Sequence, residues 1–393
     1  MKKIKADLLV IGAGSGGLVV ASGAAQLGAN VVLVEGDRMG GDCLNYGCVP
    51  SKALLAAANT AKQVNQSDKF GIKAKIVDLD YAGVMTYVEK KIAEIAPHDS
   101  QERFEEMGVT VLRDYAKFKD PKTVVVGNNE ITARRIVLAT GSRAKIPNIK
   151  GLDKVNYLTN ESLFDLRKSP RHLAIIGGGP IGVEMAQAHA RLGIKTTIIE
   201  INRIMQGYER RFVEPVHKSL IDDGVNILEG TVVDRVENDR SNIKLHLSSA
   251  STLVVSDLLI AAGRAPNIEK LALTEAGIKY NDLGVIVDRN LQTTNRSVYA
   301  IGDIVDGPSF THTASYHAAI VLKKTLFGLS STIQTTHIPQ VTYTDPEIAS
   351  VGLNFNDAVK RFGNKVERSC VNLESNDRAI TDSKTEGFVE VVL

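Results

Sequence analysis

Apolar runs alternate with glycine-rich turns in the clearest pattern of this 393-residue chain. The apolar run LLVI ends at Ile11 and leads into the turn GAGSGG, a stretch with a helical pattern, and the β-branched run VVLVE that ends at Glu35. A buried run, a turn, a helical pattern and a second buried run are typical of a strand–helix–strand unit. The sequence therefore predicts such a unit at the N-terminus.

The same pattern recurs, in register, in LAIIGGGPIGVEMAQAHARLGIKTTIIE, which ends at Glu200. The matching positions are the three glycines of each turn and the acid after each second strand: Gly12, Gly14, Gly17 and Glu35 in the first copy, and Gly177, Gly179, Gly182 and Glu200 in the second. Such glycines form the turn, admit a pyrophosphate and allow close helix packing, while the acid binds ribose hydroxyls. Phosphates then lie at the helix N-terminus. Two copies predict an α/β fold with two Rossmann-like dinucleotide-binding domains.

Composition limits the possible partners. The chain is 44% hydrophobic and 23% charged, which is typical of a folded globular protein, and its length predicts two or three domains. The formal net charge is only +2, and no block of Lys and Arg interleaves with aromatic residues. Neither nucleic acid nor an anionic membrane is therefore expected as a partner.

The N-terminal stretch from Leu8 to Val34 carries no charge, so a signal peptide or a membrane span must be considered. Asp7 interrupts its start and glycines recur throughout it, which favours a strand, a turn and a helix. We therefore expect a cytoplasmic protein.

The segment GGDCLNYGCVPSK, residues 40–52, contains two of the three cysteines, Cys43 and Cys48. In a reducing compartment a close cysteine pair is usually catalytic or metal-binding. A metal site needs about four ligands, but Cys370 is distant and adjoins no histidine cluster, so no metal site is predicted. A redox pair beside two dinucleotides would have an immediate use, because a flavin could pass electrons from one nucleotide to it.

Helix geometry sets a condition on this pair. A disulfide needs Cα atoms within about 7 Å, whereas five residues of regular helix advance about 7.5 Å. The chain must therefore be distorted between the two cysteines, and we expect the distortion at Gly47. Pro50 suits the first turn of a helix that continues through SKALLAAANTAKQV. Cys48 would then lie near a helix N-terminus, which favours its thiolate.

The segment GGDCLNYGCVPSK closely resembles the redox-active motif of the flavoprotein pyridine nucleotide-disulfide oxidoreductases. This family includes dihydrolipoamide dehydrogenase, glutathione reductase and mercuric reductase. The resemblance extends over essentially the whole chain, through the segments IVLATGSRAKIP, LLIAAGRAPN, TTNRSVYAIGDI and TYTDPEIASVGL. The last of these segments is similar to sequences of the dihydrolipoamide dehydrogenase and mercuric reductase branch. It implies FAD at the first glycine turn and NAD(H) or NADP(H) at the second.

The resemblance also implies roles for individual residues. Electrons would pass from NAD(P)H through FAD to a Cys43–Cys48 disulfide and on to a disulfide or dithiol substrate, with Cys43 as the outer thiol and Cys48 nearest the flavin. Lys52 and Glu184 would complete the catalytic set. The implied cofactor-binding residues are Gly12, Gly14, Gly17, Glu35, Gly41, Lys52, Thr140, Gly141, Gly177, Gly179, Gly182, Glu200, Gly263, Arg264 and Asp303. The alternatives are a mercuric-reductase-like reductase of a metal ion and a flavin redox sensor without turnover.

Nicotinamide choice depends on Glu200, which can bind both ribose hydroxyls of NAD and would repel a 2′-phosphate. NAD(H) is therefore favoured over NADP(H), although Arg203 follows closely and could soften the preference. The segment GPSFTHTASYHAAIVLKKTLFGL predicts a loop that opens into a helix, where we expect His312 and His317 to be structural.

The predicted domain order is a split FAD domain with an insertion. Residues 1–147 form its first part, 148–268 the NAD(P) domain, 269–335 its second part, and 336–393 a partial α+β dimerisation domain. Family members continue beyond this point and there carry a His-Glu pair supplied by the partner subunit. We therefore expect a C-terminally shortened form, a homodimer if the full interface were present, and a last strand at Val389–Leu393 that lacks a neighbour.

Overall fold

The computed structural model describes residues 1–393, and its first body is built on a seven-stranded sheet in which β1 is central. Numbered in chain order, the strands of this sheet are β1 (Lys2–Ile11), β2 (Val31–Glu35), β3 (Thr110–Arg113), β4 (Ala116–Phe118), β5 (Thr123–Val126), β6 (Asn129–Leu138) and β18 (Val298–Ala300). The spatial order is β3-β2-β1-β6-β5-β4, and β18 pairs in parallel with β6. The chain thus leaves this sheet after β6 and returns to it at β18.

The second body contains a four-stranded parallel sheet in the order β10-β9-β8-β14. Its strands, and those of the antiparallel sheet packed on it, are β8 (His172–Ile176), β9 (Lys195–Ile199), β10 (Val225–Leu228), β14 (Asp257–Ile260), and β11 (Val233–Asp239), β12 (Asn242–Leu247) and β13 (Thr252–Val255). Ala174 and Leu258 of the parallel sheet share one apolar core with Val236 and Leu245 of the antiparallel sheet. All of these strands lie between residues 172 and 260.

Four short antiparallel pairs complete the strands. They are β7 (Ser142–Ala144) with β15 (Arg264–Pro266), β16 (Tyr280–Asn281) with β17 (Gly284–Val285), β19 (Gln340–Thr342) with β20 (Ile348–Ser350), and β21 (Arg368–Asn372) with β22 (Phe388–Val392). The expectation that the last strand lacks a neighbour is wrong. The chain folds back, so β22 pairs with β21, which precedes it in the sequence.

Eleven α-helices accompany the sheets, and none has the length and hydropathy needed to cross a bilayer. They are α1 (Ser15–Gln26), α2 (Gly41–Asn45), α3 (Cys48–Asn65), α4 (Tyr81–Ile95), α5 (Gln101–Glu106), α6 (Asn160–Leu163), α7 (Pro180–Arg191), α8 (Arg210–Asp222), α9 (Thr311–Phe327), α10 (Phe355–Phe362) and α11 (Asp377–Thr381). The two copies of the sequence pattern fold alike, because α1 and α7 each begin directly after the second glycine of their turn.

Helix α3 links the two bodies. Its buried residues Leu54 and Ala58 belong to the same apolar core as Ile175 of β8 and Ala186 of α7. The helix that begins at Cys48 is therefore fixed against the second body, although β1 and α1 of the first body precede it in the chain. This packing brings the cysteine segment to the junction of the two bodies.

Candidate active site

One cavity of about 1770 Å³ runs between the two glycine turns and past the cysteine segment. Every residue that the sequence predicted for the site lines it, except Gly17 and Gly182. The lining residues from that prediction are Gly12, Gly14, Glu35, Gly41, Cys43, Cys48, Lys52, Thr140, Gly141, Gly177, Gly179, Glu184, Glu200, Gly263, Arg264 and Asp303. A ligand at either turn would thus share one space with the thiols.

The first and third glycines of each turn are required by the packing of the chain itself. Gly12 has φ +107°, and a Cβ there would lie 2.3 Å from the carbonyl oxygen of Ala139. A Cβ on Gly17 would lie 1.9 Å from the carbonyl oxygen of Gly12, which explains why this residue lies outside the cavity. The second copy repeats both contacts, at Gly177 with Ala261 and at Gly182 with Gly177.

Packing within the protein does not explain why each turn motif has its second glycine. A Cβ on Gly14 would meet nothing closer than 3.9 Å, a Cβ on Gly179 would meet nothing within 4 Å, and neither residue has positive φ. The protein alone would therefore accept a side chain at both positions. Both glycines line the cavity at the N-terminus of a 12-residue helix, where a phosphate could approach the backbone N–H groups. This arrangement fits a dinucleotide at each turn.

The two acids occupy equivalent positions at the end of each second strand. Glu35 Oε2 accepts a hydrogen bond from Ala13 N–H at 2.6 Å, and Glu200 Oε2 accepts one from Gly178 N–H at 2.7 Å. Burial raises the pKa of Glu35, although hydrogen bonds from the backbone N–H groups of Ala13 and Asp37 oppose that effect. Each carboxylate is therefore held beside its glycine turn, where ribose hydroxyls could be bound.

Replacing Gly179 by alanine should weaken the binding of a nicotinamide dinucleotide by about tenfold or more, since the added methyl group occupies the path of the pyrophosphate. The thermal midpoint should stay nearly unchanged, because the methyl group meets no protein atom. Isothermal titration with NADH measures the first effect and scanning calorimetry the second. Gly207→Ala is a matched control, because its Cβ is equally unobstructed but lies outside the cavity. Equal affinity in the two variants would contradict the prediction.

The predicted distortion between the cysteines is present. Helix α2 ends at Asn45, and α3 begins at Cys48 after Gly47, whose φ and ψ are −124° and −109°. Both thiols are free, and the interaction between them is the largest influence on the pKa of each. Cys43 is half-buried, whereas Cys48 is exposed at the cavity. The pair is thus close enough to interact directly.

The thiols differ sharply in acidity. The hydrogen bond from Cys43 lowers the pKa of Cys48 to about 6, with smaller help from Thr311 and from the charge of Lys52, and against the opposing effect of burial. The same hydrogen bond and burial raise the pKa of Cys43 far above its usual value. In the dithiol state, Cys48 therefore carries the negative charge and Cys43 keeps the proton.

Thr311 is a site residue that the sequence did not reveal. Its hydroxyl oxygen lies 3.2 Å from Cys48 Sγ, and it is the first residue of α9. The hydroxyl is thus placed to donate a hydrogen bond to the Cys48 thiolate. The only available signal was the prediction that a helix opens near this point of the chain.

Lys52 and Glu184, which the resemblance implied as catalytic residues, form an ion pair with Nζ and Oε2 2.9 Å apart. Glu184 lies on α7 and is 5% exposed, while Lys52 lies on α3 one turn beyond Cys48. The close packing of the two helices therefore brings an ammonium group to the cavity beside the thiols.

A second cluster of polar side chains surrounds Asp303. Its Oδ2 accepts a hydrogen bond from Ser142 Oγ at 2.8 Å, and Arg264 Nη2 donates to the carbonyl oxygen of Ser142 at 2.7 Å. Arg264 also forms an ion pair with Asp42, at 3.2 Å, directly before Cys43. Burial raises the pKa of Asp303. Ser142 and Asp42 were not predicted, because their partners lie far along the chain.

Both histidines of α9 bind backbone groups of neighbouring segments, and His312 also lines the cavity. His312 Nε2 lies 2.7 Å from the carbonyl oxygen of Pro339. His317 is buried, its Nδ1 accepts a hydrogen bond from Gly302 N–H, and burial lowers its pKa to about 4. His317 is thus neutral at physiological pH.

Comparison with protein families gives two matches that together span most of the chain. The family described as pyridine nucleotide-disulphide oxidoreductase matches residues 6–318, and its dimerisation domain matches residues 338–393. The chain is 34% identical to a mercuric reductase of Lysinibacillus sphaericus, over 98% of the chain and 71% of that protein. It is 33% identical to a mercuric reductase of Bacillus cereus, over 98% of the chain and 62% of that protein.

Other relatives have a different name. The chain is 34% identical to a dihydrolipoyl dehydrogenase of Geobacillus stearothermophilus, over 99% of the chain and 84% of that protein. Among solved structures, the HOCl-induced flavoprotein disulfide reductase RclA from Escherichia coli superposes with a TM-score of 0.87 at 26% identity, over 98% of this chain and 86% of that one. The α/β fold with FAD and NAD domains and a dimerisation domain is therefore confirmed.

Proposed function

Because this chain belongs to the pyridine nucleotide-disulphide oxidoreductase family, we propose that it passes electrons from NADH through FAD to a Cys43–Cys48 disulfide and on to a small disulfide or dithiol substrate. One observation carries the proposal. Both glycine turns open into the cavity that holds the two thiols, so that two dinucleotides and the redox pair would lie in a single space.

The side chains around the thiols support distinct roles for the pair. When bound, FAD and the nicotinamide dinucleotide supply hydride and electron transfer. Thr311 and Lys52 stabilise negative charge on Cys48, which is the thiol assigned next to the flavin. Cys43 is assigned to exchange with substrate, and because it holds a proton in the dithiol state, a base would have to remove that proton before the thiolate could attack. The ammonium of Lys52 at the cavity would also stabilise negative charge on a reduced flavin bound there.

The contacts of Glu200 and Arg203 support NAD(H) over NADP(H). Glu200 lines the cavity and forms no ion pair, and each of its carboxylate oxygens accepts one backbone hydrogen bond. Each oxygen keeps a second lone pair that could accept a ribose hydroxyl, whereas the negative charge would repel a 2′-phosphate. The guanidinium of Arg203 donates to the carbonyl oxygens of Tyr208 and Gln206 instead. Arg203 is thereby engaged within its own loop.

We assign the domains as residues 1–147 and 269–335 for FAD, 148–268 for NAD, and 336–393 for dimerisation. The return of β18 to the first sheet supports the split FAD domain, and the confinement of the second parallel sheet to residues 172–260 supports the insertion. The match of residues 338–393 to a dimerisation domain supports a homodimer.

Anaerobic titration with NADH tests the proposal. The flavin should be reduced, and the wild-type protein should consume more NADH per flavin than a Cys43→Ser variant, because only the wild type has a disulfide to reduce. NADPH should reduce the flavin more slowly. A flavin that NADH does not reduce would contradict the proposal and favour a sensor without turnover. Where NADH does reduce the flavin, reoxidation of the reduced protein by lipoamide, glutathione disulfide or Hg²⁺ would identify the class of electron acceptor. Hg²⁺ is included because of the relatives named mercuric reductase.

A further inference from the structure

The connection between strands β19 and β20 lies against the helices that carry Lys52 and Glu184. It belongs to the segment that matches a dimerisation domain, yet it is packed beside the redox cavity of its own chain. Helix α7 presents Glu184, Gln187 and Arg191 to it, at spacings of three and four residues that place all three on one face of the helix.

Two backbone N–H groups of this connection bind to α7. Tyr343 N–H donates to Glu184 Oε1 at 2.9 Å, and Asp345 N–H donates to Gln187 Oε1 at 2.8 Å. Gln187 Nε2 and Ser219 Oγ both donate to the carbonyl oxygen of Asp345 in return. Since Gln187 is fully buried, the backbone of Tyr343–Asp345 is held firmly on α7.

Buried charges anchor the same segment. Arg191 Nη2 donates to Asp345 Oδ2 at 3.0 Å, and Lys62 Nζ of α3 lies 3.5 Å from the same oxygen. Asp223, which directly follows α8, pairs with Arg191 at 2.7 Å. The side chain of Arg191 is only 1% exposed. Three helices therefore fix the position of Asp345.

Tyr343 in turn acts on the ion pair. Its ring centroid lies 4.4 Å from Lys52 Nζ, within the range of a cation–π contact. Glu184 uses Oε1 for the Tyr343 N–H and Oε2 for Lys52, so its carboxylate has no freedom to turn away. The Lys52 side chain is 37% exposed, and without the ring its ammonium could extend into the solvent.

We propose that Tyr343 is a positioning residue for Lys52, and that the anchored Tyr343–Asp345 segment confines the Lys52 ammonium beside Glu184 and the redox pair. The inference rests on the proposed function, because Lys52 matters only if the thiols take part in electron transfer. It adds that the segment assigned to dimerisation helps to build the redox site within one chain.

The test compares Tyr343→Leu with Tyr343→Phe in the FAD-loaded protein, each in a Cys370→Ser background. In the reduced protein, ultraviolet absorbance reports the thiolate of Cys48 as pH is varied. Loss of the ring should raise the midpoint of this titration by roughly half a pH unit, because the positive charge of Lys52 moves away. Tyr343→Phe keeps the ring and should restore the wild-type midpoint. Flavin reduction by NADH should slow about tenfold in Tyr343→Leu, with KM unchanged.

Tyr87→Leu is the matched control, since it removes a similar contact, in which Lys91 Nζ lies 5.4 Å from the ring centroid on the exposed side of α4. It should leave both measurements unchanged. If Tyr343→Leu equals this control, or if Tyr343→Phe fails to restore the midpoint, the inference is wrong. If NADH fails to reduce the wild type, the proposed function fails instead, and the thiolate midpoint still reports on Tyr343 because it requires no NADH.

A double-mutant comparison tests whether Asp345 acts on Lys52 by holding the Tyr343–Asp345 segment in place. Asp345→Asn should shift the Cys48 midpoint in the same direction as Tyr343→Leu but by less, because the ring remains and only its support is loosened. The double variant should shift no further than Tyr343→Leu alone, since both changes act through one side chain. Fully additive shifts would show that Asp345 acts by another route and would overturn this part of the inference.

Discussion

Replacing Cys48 by serine should lower turnover with a disulfide substrate by about 10³-fold or more, because the variant cannot form the disulfide that stores and passes on the electrons. Binding of FAD and of the nicotinamide dinucleotide should persist, since Cys48 lies in α3 rather than in either glycine turn. Steady-state reduction of lipoamide by NADH measures the first effect, and stopped-flow reduction of the flavin measures what survives.

The third cysteine supplies the control for this experiment. Cys370 is exposed on β21 and lines no part of the cavity, so Cys370→Ser should keep the full rate. Cys43→Ser should match Cys48→Ser in lost turnover, because either thiol alone is insufficient. Turnover above a few per cent of wild type in Cys48→Ser would mean that electrons leave the flavin without the pair, as in direct reduction of a metal ion.

The acidity of Cys48 gives this prediction a pH dependence. Its pKa in the folded dithiol protein lies near 6, below the ordinary thiol value of about 8.5. A group with a lowered folded pKa stabilises the fold above its unfolded pKa, and that contribution is lost as pH falls through the folded value. The reduced protein should thus keep its Cys48 thiolate at pH 7 and lose it near pH 6. Cys43→Ala should raise that midpoint, since the main hydrogen-bond donor is gone.

Local sequence patterns predicted most of the fold. Both strand–helix–strand units have the predicted order, and the break at Gly47 separates two helices, because apolar runs, glycines and a proline act on their immediate neighbours. The neighbour of the last strand was predicted wrongly, because the prediction considered only residues after β22 and the pairing strand β21 comes before it.

The site was predictable only where its residues are clustered in the chain. The glycine turns and the cysteine segment are short motifs, so their chemistry could be interpreted directly. Thr311 reaches Cys48, and Tyr343 reaches Lys52 and Glu184, only through packing of distant elements. No local period or spacing encodes such contacts, and these residues became recognisable only when the helices were packed together.

Replacing Arg191 by methionine should lower the free energy of unfolding by about 3 kcal/mol, a typical loss when one member of a buried ion pair is removed. The Arg191 side chain is 1% exposed, and its partner Asp223 is 8% exposed. Lys62, 3.3 Å from Asp223, compensates in part, so we expect the lower end of the usual range. Chemical denaturation measures the loss. Arg235→Met is the control, because Arg235 and its partner Glu237 are both exposed and their pair should contribute less than about 1 kcal/mol.

Arg191→Met should also change how the stability of the protein depends on pH. Burial raises the pKa of Asp345, but the nearby charges of Arg191 and Lys62 outweigh burial and hold the pKa below its usual value. Asp345 therefore stabilises the wild type above its unfolded pKa of about 4, and this contribution is lost as pH falls through the lower folded value. In Arg191→Met one of the positive charges that lower the Asp345 pKa is gone, so burial raises this pKa further. The stability that the Asp345 carboxylate contributes is therefore lost at a higher pH than in the wild type. Thermal midpoints measured from pH 7 downward should thus diverge between wild type and Arg191→Met as pH falls. Parallel curves would show that Arg191 does not lower the pKa of Asp345.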